Sequence, residues 1–394
     1  MSGHRTGVVV IALVLSYAAT PEAQPTLDTV GSREIVTGRT MLLHSETLNS
    51  DLQLSIHVPS DYAETEDRYP VLVTLDDFFD LAVGIVNTMN RGGYIPDMIV
   101  VSVNNPNSNW LIPSQTADGI GGEAERLVQM LREELLVAID SAYRTHPYRI
   151  LYGSSWAGVF AAYAVLTSPE TINAGLCAGP WLTYDQDQRY VLSHLTDWIA
   201  AYDYEHNYLF FTGGAQPEIV PSIEEFSALL AQHAPSGLRW KYDPMPEEDH
   251  YSLKLRTPMA GLRDLFAIRR ELPDSVVNGG REAILVHTEW INAHFGYDIG
   301  LAHGALGVKG WELFGAGEVD RALELMRLGV ELSAKSPTIV YSLGRLLHLS
   351  GNLNGAREHY EKALRLLKPS QATLRSAYKH RLSQVKEQIE AQKK

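Results

Sequence analysis

Arg149-Ile-Leu-Tyr-Gly-Ser-Ser-Trp-Ala-Gly158 decides the fold. Its first half is an apolar, strand-like run through Ile150, Leu151 and Tyr152. Its second half turns at Gly153 into a helical pattern from Val159 to Leu166. A strand that breaks sharply into a helix, with a serine in the turn, holds a hydroxyl exposed above a sheet. Such a turn accepts only small residues two before and two after that serine. Gly153 and Ala157 meet the demand for Ser155, whereas Tyr152 and Trp156 would flank Ser154. Ser155 is therefore the candidate nucleophile, set at a helix N-terminus whose unpaired N–H groups favour developing negative charge.

Outward from this turn the chain alternates strand-like and helix-like segments. Leu52 to Val58 alternates apolar and polar residues, as a half-buried strand does. Val71 to Leu75, Met98 to Val103 and Tyr208 to Thr212 are short apolar runs, expected of central strands covered on both faces. Glu123 to Ile139 carries Leu127, Val128, Met130, Leu131, Leu135, Leu136 and Ile139 as a helical stripe. The alternation predicts an α/β fold, a mostly parallel sheet with helices on both faces and an antiparallel edge from the early strands.

A serine hydroxyl needs a base to act at neutral pH. In this architecture the chain order is serine, acid, histidine. His250 lies in the polar loop Pro246-Glu-Glu-Asp-His-Tyr-Ser252, after the strand-like Leu238 to Tyr242, and loops at strand ends are where such groups gather. His194 and His233 sit in helical patterns, His206 precedes a strand, and His287 and His294 lie further on. For the acid, Glu218 follows the strand Tyr208 to Thr212, with Asp185, Asp243 and Asp249 as rivals. Its role would be to fix the imidazole tautomer. The expected oxyanion donors are the N–H of Trp156 and that of Phe78, with Asp77 the alternative to Phe78. Asp77, Phe79, Trp110 and Trp181 are candidate walls of a substrate pocket, and core packing is the competing role for these aromatics.

Residues 1–23 read as a secretory signal peptide: His4 and Arg5 precede an apolar run from Val8 to Ala19, then small residues. The run is shorter than the roughly 20 apolar residues that cross a bilayer, so the expectation is an exported protein with no membrane span after cleavage. Residues 34–272 form the expected catalytic domain and 273–300 a linker helix region. In residues 301–390, Gly310 and Gly344, Gly317 and Gly351, and Ala322 and Ala356 each stand 34 apart, the period of a tetratricopeptide-like helical repeat. A net charge of -14 over 394 residues argues against nucleic acid as a partner. With one cysteine, Cys177, no intramolecular disulfide forms. His287, Glu289 and His294 lack the spacing of a HExxH metal helix, so neither metal nor cofactor is expected.

The sequence resembles the esterase branch of the α/β-hydrolases that includes siderophore esterases, esterase D and mycobacterial mycolyltransferases. Four pieces carry the likeness: Leu75-Asp-Asp-Phe78, Tyr148 to Gly158, Gly179-Pro-Trp-Leu182 and Glu248-Asp-His250. Asp77 stands where that family has a glycine. The resemblance implies an α/β-hydrolase domain followed by a small all-helical, tetratricopeptide-like domain. It implies a serine esterase acting on a small-molecule ester of siderophore, short-chain or aryl type. An acyltransferase on the same scaffold, or a binding protein that works through its helical repeats, is the alternative. Those helices would also be the surface for self-association or protein contact.

Overall fold

The valine-rich runs and the period-two segment become eight strands of one sheet: β1 (Arg39–Ser45), β2 (Ser50–His57), β3 (Tyr69–Thr74), β4 (Ile99–Val103), β5 (Thr145–Ser154), β6 (Ala174–Ala178), β7 (Asn207–Gly213) and β8 (Leu238–Pro244). Their order is β1-β2-β4-β3-β5-β6-β7-β8. β1 and β2 pair antiparallel, β2 meets β4 antiparallel, and all later pairs are parallel. This computed structural model describes residues 36–393 apart from 76, 185–188, 303 and 369–370. The expected signal peptide and the rival acid Asp185 lie outside the described residues.

Helices α1 (Phe79–Arg91), α2 (Ser108–Leu111), α3 (Ala124–Met130), α4 (Leu136–Ala142), α5 (Trp156–Thr167), α6 (Tyr190–Ala201), α7 (Val220–His233) and α8 (His250–Leu265) follow the strands. The stripe from Glu123 to Ile139 is continuous from α3 to α4 through one π turn at Leu131–Leu135. Side chains alternate across each central strand, so the sheet separates two cores. Val71, Val73, Leu151, Cys177, Leu209 and Phe211 face the core under α3 to α7. Leu72, Val100, Ile150, Tyr152, Leu176 and Phe210 face the core under α1 and α8. Burial pushes the Cys177 thiol far above its usual range, which makes it an inert core residue.

Residues 273–300 do more than connect. They fold as α9 (Asp274–Asn278) and α10 (Gly280–Phe295), and Ile291 and Phe295 of α10 belong to the second sheet core. The Phe295 ring lies 5.3 Å from both Phe266 and Tyr148. The Arg269 guanidinium donates to the carbonyls of Ile299 and Gly300. Beyond them come α11 (Ala305–Gly315), α12 (Val319–Leu332), α13 (Pro337–Leu349), α14 (Leu353–Leu366) and α15 (Ala372–Gln392). A Cβ at Gly310 would stand 2.8 Å from the Met326 side chain, and one at Gly344 2.9 Å from Tyr360. Both members of these contacts are 34 apart, so the sequence period is a period of close helix approach. The stacked rings of Tyr341 and Tyr378, 3.9 Å apart, hold α15 against the last pair. Thr37–Lys394 form one compact unit. No helix among the described residues is long and apolar enough to cross a membrane.

Candidate active site

β5 ends at Ser154 and α5 begins at Trp156, leaving Ser155 alone in the bend with φ 56° and ψ -118°. A non-glycine residue held there costs about 1–3 kcal/mol and persists only where its surroundings impose it. Two contacts impose it. The Ser155 N–H donates to the Ala178 carbonyl at 2.9 Å, and the Ser155 carbonyl accepts from Val159 N–H at 3.0 Å. A Cβ at Gly153 would lie 2.1 Å from the Ala157 carbonyl oxygen, so the bend closes only around a glycine. Ser154 is buried, whereas Ser155 is half-buried.

The expected oxyanion donors start two neighbouring segments. Phe78 caps α1 just beyond β3, and Trp156 opens α5 just beyond β5, the strand paired with β3. The Phe78 ring rests 4.6 Å from that of Tyr152. Neither backbone N–H has an acceptor among the described residues. The pocket candidates separate. Asp77 and Trp181 are exposed, Trp110 is buried in the core beneath α2, and Phe79 packs against Gly38. Trp110 and Phe79 thus serve packing. The Trp156 indole N–H is buried without a partner.

His250 is the first residue of α8. Asp249 caps that helix, accepting from Tyr251 N–H at 2.9 Å and Ser252 N–H at 2.8 Å. The N–H and hydroxyl of Ser252, then the Tyr251 N–H, hold its carboxyl below the usual range. Asp249 is therefore committed to the cap. Tyr152 donates to the Lys254 carbonyl at 2.9 Å, and the Thr212 and Thr257 hydroxyls meet at 2.7 Å, which seats α8 on β5 and β7. The loops after β7 and β8 are laced together by Ala215 N–H to Glu248 carbonyl at 2.7 Å and Met245 N–H to Gly213 carbonyl at 2.8 Å.

That lacing brings a residue to His250 that sequence reasoning did not select. The Gln216 side-chain amide lies 2.8 Å from His250 Nδ1. Glu218, the expected acid, is exposed and makes no side-chain hydrogen bond among the described residues. The physical reason is local: Ile219 N–H returns to the Gln216 carbonyl at 3.1 Å, and this turn places residue 216 under the imidazole while residue 218 passes outside. Glu248 pairs with Arg256 at 2.5 Å. No signal in the sequence favours a glutamine here.

A cavity of about 340 Å³ lies elsewhere, between α9, α10 and α12. Two of its arginines are already engaged, Arg281 with Glu331 and Arg321 with Glu318 and Asn278. It holds no nucleophile–base pair.

Residues 45–203 match the protein family described as Putative esterase. No curated protein matches the sequence. Among solved structures, the IroE-like serine hydrolase from Shewanella oneidensis superposes with a TM-score of 0.63 at 22% identity, over 75% of this chain and 99% of that one. An uncharacterised protein from Capnocytophaga ochracea gives 0.60 at 15%, over 88% and 99%. The siderophore hydrolase EstB from Aspergillus nidulans gives 0.52 at 16%, over 61% and 97%. At these identities the structural likeness is one of fold, the α/β-hydrolase sheet.

Proposed function

We propose that this chain, whose residues 45–203 match the family described as Putative esterase, hydrolyses carboxylic esters of small molecules with Ser155 as nucleophile and His250 as general base. The observation that carries the reading is the strained backbone of Ser155, φ 56°, in a bend between a buried strand and a buried helix. Strain of this kind is kept where it serves a task.

In the proposed cycle His250 takes the Ser155 proton as the hydroxyl oxygen attacks the ester carbonyl. The N–H groups of Trp156 and Phe78 receive the negative oxygen. The alcohol leaves with the proton from His250, and water then attacks the acyl-enzyme with His250 again as base. Trp181, 40% exposed and three residues after the carbonyl that anchors Ser155, supports an aromatic contact for the acyl or alcohol group. Residues 1–23 support export.

Hydrolysis of p-nitrophenyl butyrate by the full chain tests the reading. Ser155→Ala and His250→Ala should each lower kcat by about a thousandfold or more. A fluorophosphonate should label Ser155, and labelling of a different serine with activity intact in Ser155→Ala would reject the assignment.

A further inference from the structure

We propose that Gln216 is the positioning residue of this site and occupies the place that a carboxylate holds in a Ser–His–acid triad. The inference rests on the esterase reading above and goes beyond it by replacing the acid with a neutral amide. Gln216 is the hydrogen-bond partner of His250 Nδ1, at 2.8 Å. Its backbone is fixed on both sides: its own N–H donates to the Gly214 carbonyl at 2.8 Å, and Ala215 N–H donates to the Glu248 carbonyl at 2.7 Å. The far end of the amide is buried without a partner. It fills the space over Gly179, where a Cβ would stand 3.2 Å from it. Among the described residues no carboxylate bonds to the imidazole. Glu218 is exposed, Asp249 caps α8 and Glu248 holds Arg256.

The chemistry fixes which way the amide points. The oxygen and nitrogen of a side-chain amide occupy nearly the same positions. With the nitrogen toward Nδ1, the imidazole must carry its proton on Nε2 and has no lone pair for the serine proton. With the oxygen toward Nδ1, it accepts the Nδ1–H and leaves Nε2 as the base. The second orientation is the working one. A neutral amide sets tautomer and ring plane as a carboxylate does, but adds no charge beside the imidazolium formed in the transition state.

The test compares kcat, KM, pH–rate profile and thermal melt of the full-length wild type, Gln216→Leu, Gln216→Glu and Glu218→Gln on p-nitrophenyl butyrate. Gln216→Leu should lower kcat about 100-fold with KM within about twofold, since tautomer control is lost and substrate contact is not. Gln216→Glu should restore activity and move the acidic limb of kcat/KM about one pH unit upward, because a carboxylate favours the imidazolium. Glu218→Gln should match the wild type. The charged groups around His250, namely Glu248, Asp249 and Glu218, are otherwise unchanged across the Gln216 variants. If Gln216→Leu fails to fold, the limb shift in Gln216→Glu decides. Wild-type profiles in both Gln216 variants, with Ser155 still labelled by fluorophosphonate, would overturn this inference alone. So would a kcat loss confined to Glu218→Gln. A wild type that neither hydrolyses ester nor takes the label would remove the esterase reading and this inference with it.

Discussion

Gly153 and Ala157 meet backbone to side-chain position across the bend that holds Ser155, with 2.1 Å between the Ala157 carbonyl oxygen and the point a Gly153 Cβ would occupy. Neither atom has freedom to retreat. Gly153 is the last but one residue of β5, paired with Cys177 of β6, and Ala157 is in the first turn of α5.

Gly153→Ala should therefore open the bend. The expected cost is about 3 kcal/mol or more, the upper range for overpacking a rigid site, with ester hydrolysis lost more completely than stability. Urea unfolding monitored with near-ultraviolet circular dichroism, alongside kcat, checks both. Stability and activity equal to the wild type would mean that the bend is not closed around this glycine.

Where the chain is cut after α8 matters. Ending it after Glu271 removes Ile291 and Phe295, both buried in the second sheet core, Phe295 against Tyr148 and Phe266, at about 2–5 kcal/mol for each large side chain. That protein should lack a cooperative thermal transition. Ending it after Gly304 keeps both side chains and the Arg269 bonds to Ile299 and Gly300, and should melt cooperatively. Calorimetry of the two truncations is the measurement.

Asp97 is pushed up to about 6, first by burial and then by the charge of Asp61, with Lys368 opposing and Asn90 donating. Its folded pKa lies above its unfolded value, so its contribution is present at low pH and is lost as pH rises from about 4 to about 6. Asp97→Asn should therefore raise stability by about 1–2 kcal/mol at pH 7.5, discounted for partial exposure, and change little at pH 4. Denaturant midpoints at the two pH values test the sign.

His294 behaves in the opposite sense. Burial first, then Arg239 and His206, lower it to about 4. Its folded pKa is depressed, so stability is complete above about 6.5 and falls as pH drops from there toward 4. His294→Gln should flatten that acid-side loss. Because Asp97 and His294 act against each other between pH 4 and 6, only the single variants separate them. A wild-type acid slope retained in His294→Gln would remove this histidine as its source.

Most of the sheet was legible because its central strands carry runs that only burial on both faces explains. Val71, Ile99 and Tyr208 each lie in one. β6 was not, since Ala174-Gly-Leu-Cys-Ala178 is short and small-sided, with no period or β-branched residue to mark it. Its small residues are a packing requirement: a Cβ at Gly175 would stand 3.0 Å from the Ala161 carbonyl of α5. Yet this strand supplies the Ala178 carbonyl that pins Ser155.

Ser155 was chosen from local pattern, because a tight strand-to-helix turn is written in neighbouring residues, and His250 from chain order and its polar loop after the strand-like Leu238 to Tyr242. Which side chain meets His250 Nδ1 was not written there. Glu218 and Gln216 stand two residues apart in one loop, and the choice between them depends on Ala215 bonding to Glu248, 33 residues later in the chain. Short-range sterics set the elements and the strained turn at Ser155; the partner of the His250 imidazole was decided by long-range hydrogen bonds, which exist only once β7 and β8 lie side by side.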